Sequence, residues 1–102
     1  MQMKIELHKV AQRDLLLGYS FYESHEIGLG SYFIDSLFAD IDSLRLYAGI
    51  HSLHWGFYRM LSLRFPYAIY YKISEDKIRV YAILSCRKNP EKSKRNLKNR
   101  RF

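Results

Sequence analysis

A chain of 102 residues, 48% hydrophobic and 16% aromatic, can bury one core and is too apolar to be intrinsically disordered. Its formal charge of +7 is concentrated at one end: residues 87–102 hold eight basic residues and one acid, while the rest of the chain balances at nine of each. Segregation of this kind points to an acidic partner, whether nucleic acid, an anionic surface or an acidic protein segment, and no apolar run approaches the roughly 20 residues of a membrane span.

In chain order, Met3 to Leu7 alternates and predicts a short first strand. From His8 the period changes to three and four, with Val10, Ala11, Leu15, Gly18 and Tyr22 on one broad helical face. Gly28 and Gly30 interrupt that period, Gly28 as a left-handed cap, and a second helix follows at once. Its apolar stripe is Phe33, Ile34, Leu37, Phe38, Ile41, Leu44 and Tyr47, with Asp35, Asp40 and Asp42 largely off it. So short a joint makes the pair an αα-hairpin. Tyr47 to Ser52 is a crossover, after which Phe57–Leu63, Tyr67–Ile73 and Lys77–Leu84 read as three strands, broken at Phe65-Pro66 and at Ser74 to Asp76.

The expectation is a single α+β domain over residues 1–102. Two layers are expected: a helical hairpin packed on one face of an antiparallel sheet, in the order β-α-α-β-β-β with a basic C-terminal tail. Beyond Leu97 and Phe102 the tail has little to give a core, so residues 1–86 are expected to fold without it. Met1 to Arg13 lacks the apolar core of a secretory signal, and Cys86, the one cysteine, suits a reducing compartment; a cytoplasmic location is expected.

Few residues suggest chemistry. His51 and His54 have a spacing seen in metal sites but no nearby third ligand, and neither metal nor cofactor is expected. Asp40 and Asp42 point in different directions on a helix and do not form an acid/base pair. Cys86 has no partner histidine motif and reads as a small residue closing a strand.

Several segments together resemble the RelE/ParE toxin superfamily of bacterial toxin–antitoxin modules, nearly over the whole chain. They are Asp14-Leu15 and Tyr22-Glu23, then Gly28-Leu29-Gly30 with Phe33, then Arg64-Phe65-Pro66-Tyr67-Ala68-Ile69-Tyr70-Tyr71, and finally Arg87-Lys88-Asn89-Pro90. RelE-type members cleave messenger RNA on the ribosome. That chemistry requires activation of the ribose 2′-hydroxyl, cations for the phosphorane and a donor for the leaving oxygen. The strand positions that would carry it fall near Leu61 and Ala68, and Asn89 to Arg101 contains no Tyr, His, Asp or Cys. The resemblance therefore implies the ParE branch, which poisons DNA gyrase by binding and is neutralised by a cognate antitoxin with an acidic C-terminal segment. Target contact would come from Arg59, Arg64, Arg87, Lys88, Lys92, Lys94 and Arg95. The alternative is a RelE-like ribosome-dependent endoribonuclease using Arg59, Arg64, Arg87 and Lys88. A nucleic-acid-binding module without toxicity is a third.

Overall fold

The computed structural model describes residues 3–87, 89–100 and 102. β1 (Lys4–Leu7) leads into α1 (Lys9–His25), then α2 (Leu29–Asp42) and the single turn α3 (Leu44–Tyr47). Four strands follow, β2 (Ser52–His54), β3 (Phe57–Leu61), β4 (Tyr67–Ser74) and β5 (Lys77–Ser85), and the chain closes with α4 (Pro90–Asn99). The sheet runs β1-β5-β4-β3-β2, with β2 to β5 antiparallel and β1 parallel to β5. The α+β class and the hairpin-on-sheet arrangement are as expected. The sheet, expected to be antiparallel, is mixed: the helices carry the chain from β1 across to the far edge, and the β2–β5 meander returns to place β5 beside β1 in the same direction.

The helical joint is built by Glu23 and two glycines. The Glu23 carboxylate accepts the backbone N–H of Gly28 at 3.0 Å and of Gly30 at 2.9 Å, so two donors at the start of α2 are held by a side chain of α1. Gly28 adopts φ 91°, a left-handed conformation that favours glycine. Gly18 is required for a different reason: a Cβ there would lie 2.5 Å from the Phe33 ring, so the two helices meet where one residue has no side chain. Phe33, Leu37 and Ile41 face the sheet as expected, buried with Ile69, Tyr71 and Ile83. Asp40 departs from expectation, for it is buried and accepts the Ser62 hydroxyl, tying α2 to the β3–β4 connection. Asp42 is on the surface, paired with Arg45 at 2.8 Å.

The second sheet face is also covered, which the expected two layers did not include. A separate buried cluster of Phe57, Ala68, Tyr70, Ala82 and Leu84 is closed by Leu97 of α4. The pairing of β4 with β5 explains how consecutive residues serve both faces. Tyr70 pairs with Ala82 but Tyr71 with Val80, leaving Tyr81 as an extra residue in β5. The bulge inverts the alternation: Ile78, Val80 and Ile83 face the hairpin, while Ala82 and Leu84 face α4.

The tail is therefore a helix and part of the core. Asn89 caps it, its side-chain oxygen accepting the Glu91 N–H at 2.7 Å, with Pro90 in the first turn, where its missing N–H costs nothing. Ser93 and Leu97, four apart, form the buried face.

Candidate target-binding surface

Lys92 and Arg95 stand exposed on the outer side of α4 and Lys94 is half-buried beside them, so three of the expected cations share one short helix. Arg87 is exposed just before that helix, and Lys88 lies outside the described residues. Arg59 and Arg64 are held elsewhere.

Arg59 sits on β3 on the α4 side of the sheet. Its Nε donates to the Tyr70 hydroxyl at 3.3 Å and its Nη2 to Cys86 Sγ at 3.8 Å. It lines a cleft of about 190 Å³ whose walls include His54, Trp55, Tyr70, Cys86 and the buried Ser93. Trp55 reaches it by an uncommon route: Trp55 and Gly56 form the two-residue turn of the β2–β3 hairpin with φ of 55° and 87°. A bulky residue in that conformation is strained. Its ring stacks over Tyr70 with centroids 6.1 Å apart. Arg64 is exposed in the β3–β4 connection, beside a groove lined by Asp40, Tyr47 and His51 that belongs to the hairpin side.

Arg87 opens onto a larger cavity, about 420 Å³, between α1, the end of β5 and α4. One wall is an ion pair that sequence reasoning missed. β1 follows β5 only as far as Val80, whose carbonyl accepts the His8 N–H at 2.9 Å, after which the edge of β5 is open. Asp14 of α1 and Arg100 at the end of α4 close it. Asp14 Oδ2 accepts the Ile83 N–H at 2.9 Å, and Arg100 Nη1 donates to the Tyr81 carbonyl at 3.3 Å. The two side chains bind each other through two parallel bonds of 2.7 Å. One of the eight basic residues of the tail is thus used internally, and a paired charge replaces the missing strand. The available signal was Asp14 itself, an acid on the apolar face defined by Ala11, Leu15, Gly18 and Tyr22.

Tyr22 and Tyr67 also line this cavity. Burial raises the pKa of the Tyr22 phenol, and the Arg87 charge partly offsets it. For Tyr67, burial again leads, with Tyr22 and Asp14 adding to the rise and Arg87 opposing it. Both stay protonated donors at neutral pH.

The two histidines do not act together. His51 shares a hydrogen bond with the Tyr71 hydroxyl, which also accepts the Gly49 N–H at 2.9 Å, while His54 faces the Arg59 cleft. Leu61, Ala68 and the segment after Asn89 leave a nuclease short of proton-transfer groups. Folding instead supplies His54 and Tyr70 to the Arg59 cleft from β2 and β4.

Among the helices of the described residues, none is long and apolar enough to cross a membrane. No protein-family model matches the sequence, and no curated protein matches it. Among solved structures, the chain is similar to one described as the chromosomal ParDE TA system from P. aeruginosa, with 18% identity and a TM-score of 0.72. The match covers 82% of this chain and 96% of that one. At that identity the likeness establishes a shared fold.

Proposed function

We propose that residues 1–102 form the toxin of a type II toxin–antitoxin module, acting in the ParE manner by inhibiting DNA gyrase in the cytoplasm and neutralised by a cognate antitoxin with an acidic C-terminal segment. The observation that carries this reading is the fold shared with a chain of a ParDE system. Inhibition by binding is supported by the exposed cations Arg87, just before α4, and Lys92 and Arg95 on it, which steer an acidic surface into contact. A protein partner is supported by the helical hairpin, which leaves an apolar groove of about 540 Å³ between Leu7, Leu15, Leu16, Tyr19, Ile34 and Phe38. Exposed apolar surface of this kind marks a protein interface.

The Arg59 cleft favours a second reading, a RelE-like ribosome-dependent endoribonuclease. It gathers a guanidinium, an imidazole and a phenol in one concave site, the groups that phosphodiester cleavage by a 2′-hydroxyl uses. Expression in a bacterium separates the two. Gyrase inhibition gives filamentation and DNA-damage signalling, whereas messenger RNA cleavage gives rapid translation arrest. Absence of any growth effect, together with failure of the chain to pull down the product of the adjacent gene, would remove both toxin readings.

A further inference from the structure

The cavity between α1, the end of β5 and α4 contains polar groups that the fold itself does not use. Tyr22 is 8% exposed, its ring enclosed by Phe33 and Phe65 at centroid distances of 5.1 and 4.8 Å. Tyr67 packs on Phe33 at 4.9 Å. The two rings belong to the core, but among the described residues neither hydroxyl has a hydrogen-bond partner, and both side chains line the cavity. Both hydroxyls are open to solvent through this space of about 420 Å³, so two donors uncommitted to the fold face an entering acceptor from one cavity. The space far exceeds the roughly 30 Å³ of a water molecule.

The surrounding charge determines which acceptor fits. Arg100 is neutralised by Asp14, with both oxygens of that carboxylate engaged, so Arg87 supplies the uncompensated positive charge. Two hydroxyl donors and one guanidinium match a singly charged carboxylate, which accepts through two oxygens. A phosphate carries more charge and more oxygens than one guanidinium and two hydroxyls satisfy. The rim is apolar: Leu17 is 70% and Phe21 46% exposed on α1, next to the opening. An apolar rim around an anion site suits a peptide with hydrophobic neighbours better than a nucleic-acid backbone.

We propose that this cavity is a socket for the carboxylate of an Asp or Glu side chain on a peptide partner, held by Tyr22, Tyr67 and Arg87, with the flanking apolar residues of the peptide resting on Leu17 and Phe21. That the partner is an antitoxin rests on the function proposed above; the socket itself does not.

The test is a titration of the isotope-labelled full chain followed by the amide signals of Ile83, Ser85, Arg87 and Asn96. The probes are the capped tripeptide Leu-Glu-Leu, its Leu-Gln-Leu counterpart, inorganic phosphate and a short single-stranded RNA. The Glu peptide shifts these signals saturably and the Gln peptide binds at least about tenfold more weakly, since a charge-assisted bond is replaced by a neutral one. The double variant Tyr22→Phe/Tyr67→Phe, which loses only two oxygen atoms and keeps both rings, binds the Glu peptide at least about tenfold more weakly with an unchanged spectrum elsewhere. Equal binding of the Glu and Gln peptides, an unaffected double variant, response to phosphate or RNA without response to the Glu peptide, or no response to any probe would each overturn the socket. The tripeptide carries no antitoxin sequence. A failed titration with a successful pull-down of the adjacent gene product therefore removes the socket alone, and the reverse pattern removes the antitoxin reading alone.

Discussion

At the scale of single residues, the structure separates charges that look equivalent in the sequence. Asp14 and Asp42 both pair with arginine, yet the Asp14–Arg100 side chains are 8% and 12% exposed and those of Asp42 and Arg45 are 70% and 41%. Removing one partner of a buried pair leaves the other charge uncompensated, so Asp14→Ala should cost about 3–5 kcal/mol, and it also frees the Ile83 N–H. Asp42→Ala should stay within about 0.5 kcal/mol, and denaturant unfolding of both variants measures the contrast. Gly18→Ala drives a methyl into the Phe33 ring and should cost about 1–3 kcal/mol unless that ring moves. His51 gives a pH dependence with a definite sign. Burial lowers its pKa below the ordinary histidine value, so the folded state, in which His51 shares a hydrogen bond with the Tyr71 hydroxyl, favours the neutral imidazole. The unfolded chain therefore binds the proton first as pH falls, and the His51 contribution is complete above the unfolded pKa of about 6.5 and is lost on acidification. The unfolding midpoint should fall less between pH 7.5 and 5.5 in His51→Asn than in the wild type; an equal fall in both would show that His51 does not carry the effect.

At the scale of elements, α4 has two roles on two faces. Leu97 and Ser93 turn inward and complete the second core, whereas Lys92 and Arg95 turn out. Truncation after Pro90 removes Leu97 and Arg100 together, uncovering Phe57, Ala68, Ala82 and Leu84 and leaving Asp14 without its partner. The expectation that residues 1–86 fold without the tail is replaced by its opposite. The truncated chain should unfold cooperatively only at much lower denaturant, or aggregate, and circular dichroism with light scattering would detect either. Charge removal on the outer face has a different signature. Substitution of Lys92, Lys94 and Arg95 by Gln, singly and then together, should leave unfolding midpoints nearly unchanged while growth inhibition declines in steps, because steering is a sum over charges. Collapse of inhibition at Arg59 alone, with the α4 variants fully active, would instead favour catalysis in the Arg59 cleft. In α2, Leu37→Ala should cost about 2–5 kcal/mol, since Leu37 is fully buried between hairpin and sheet.

For the molecule as a whole, the order and type of most elements are legible in the chain, because hydrophobic period and turn chemistry are local. A helical period from Val10 to Tyr22, the glycines at 28 and 30, and the β-branched and aromatic runs after Gly56 each act within a few residues. Even α4 has a local start signal, Asn89-Pro90-Glu91, obscured by the surrounding charge. The unbroken runs Ala68 to Tyr71 and Ala82 to Leu84 likewise indicate strands covered on both faces. The sequence also segregated the charge, but it did not say which cations are free. Tertiary structure alone decided that Arg100 is internal, that a bulge at Tyr81 divides β5 between two cores, and that Arg59 and Arg87 open onto different cavities. Those outcomes depend on groups far apart in the chain, such as Asp14 and Arg100 at a separation of 86 residues, meeting at an edge that exists only once β1 has ended and β5 continues. No local pattern encodes such a meeting, because the backbone N–H and carbonyl groups left unpaired there belong to the assembled sheet and to no segment of it.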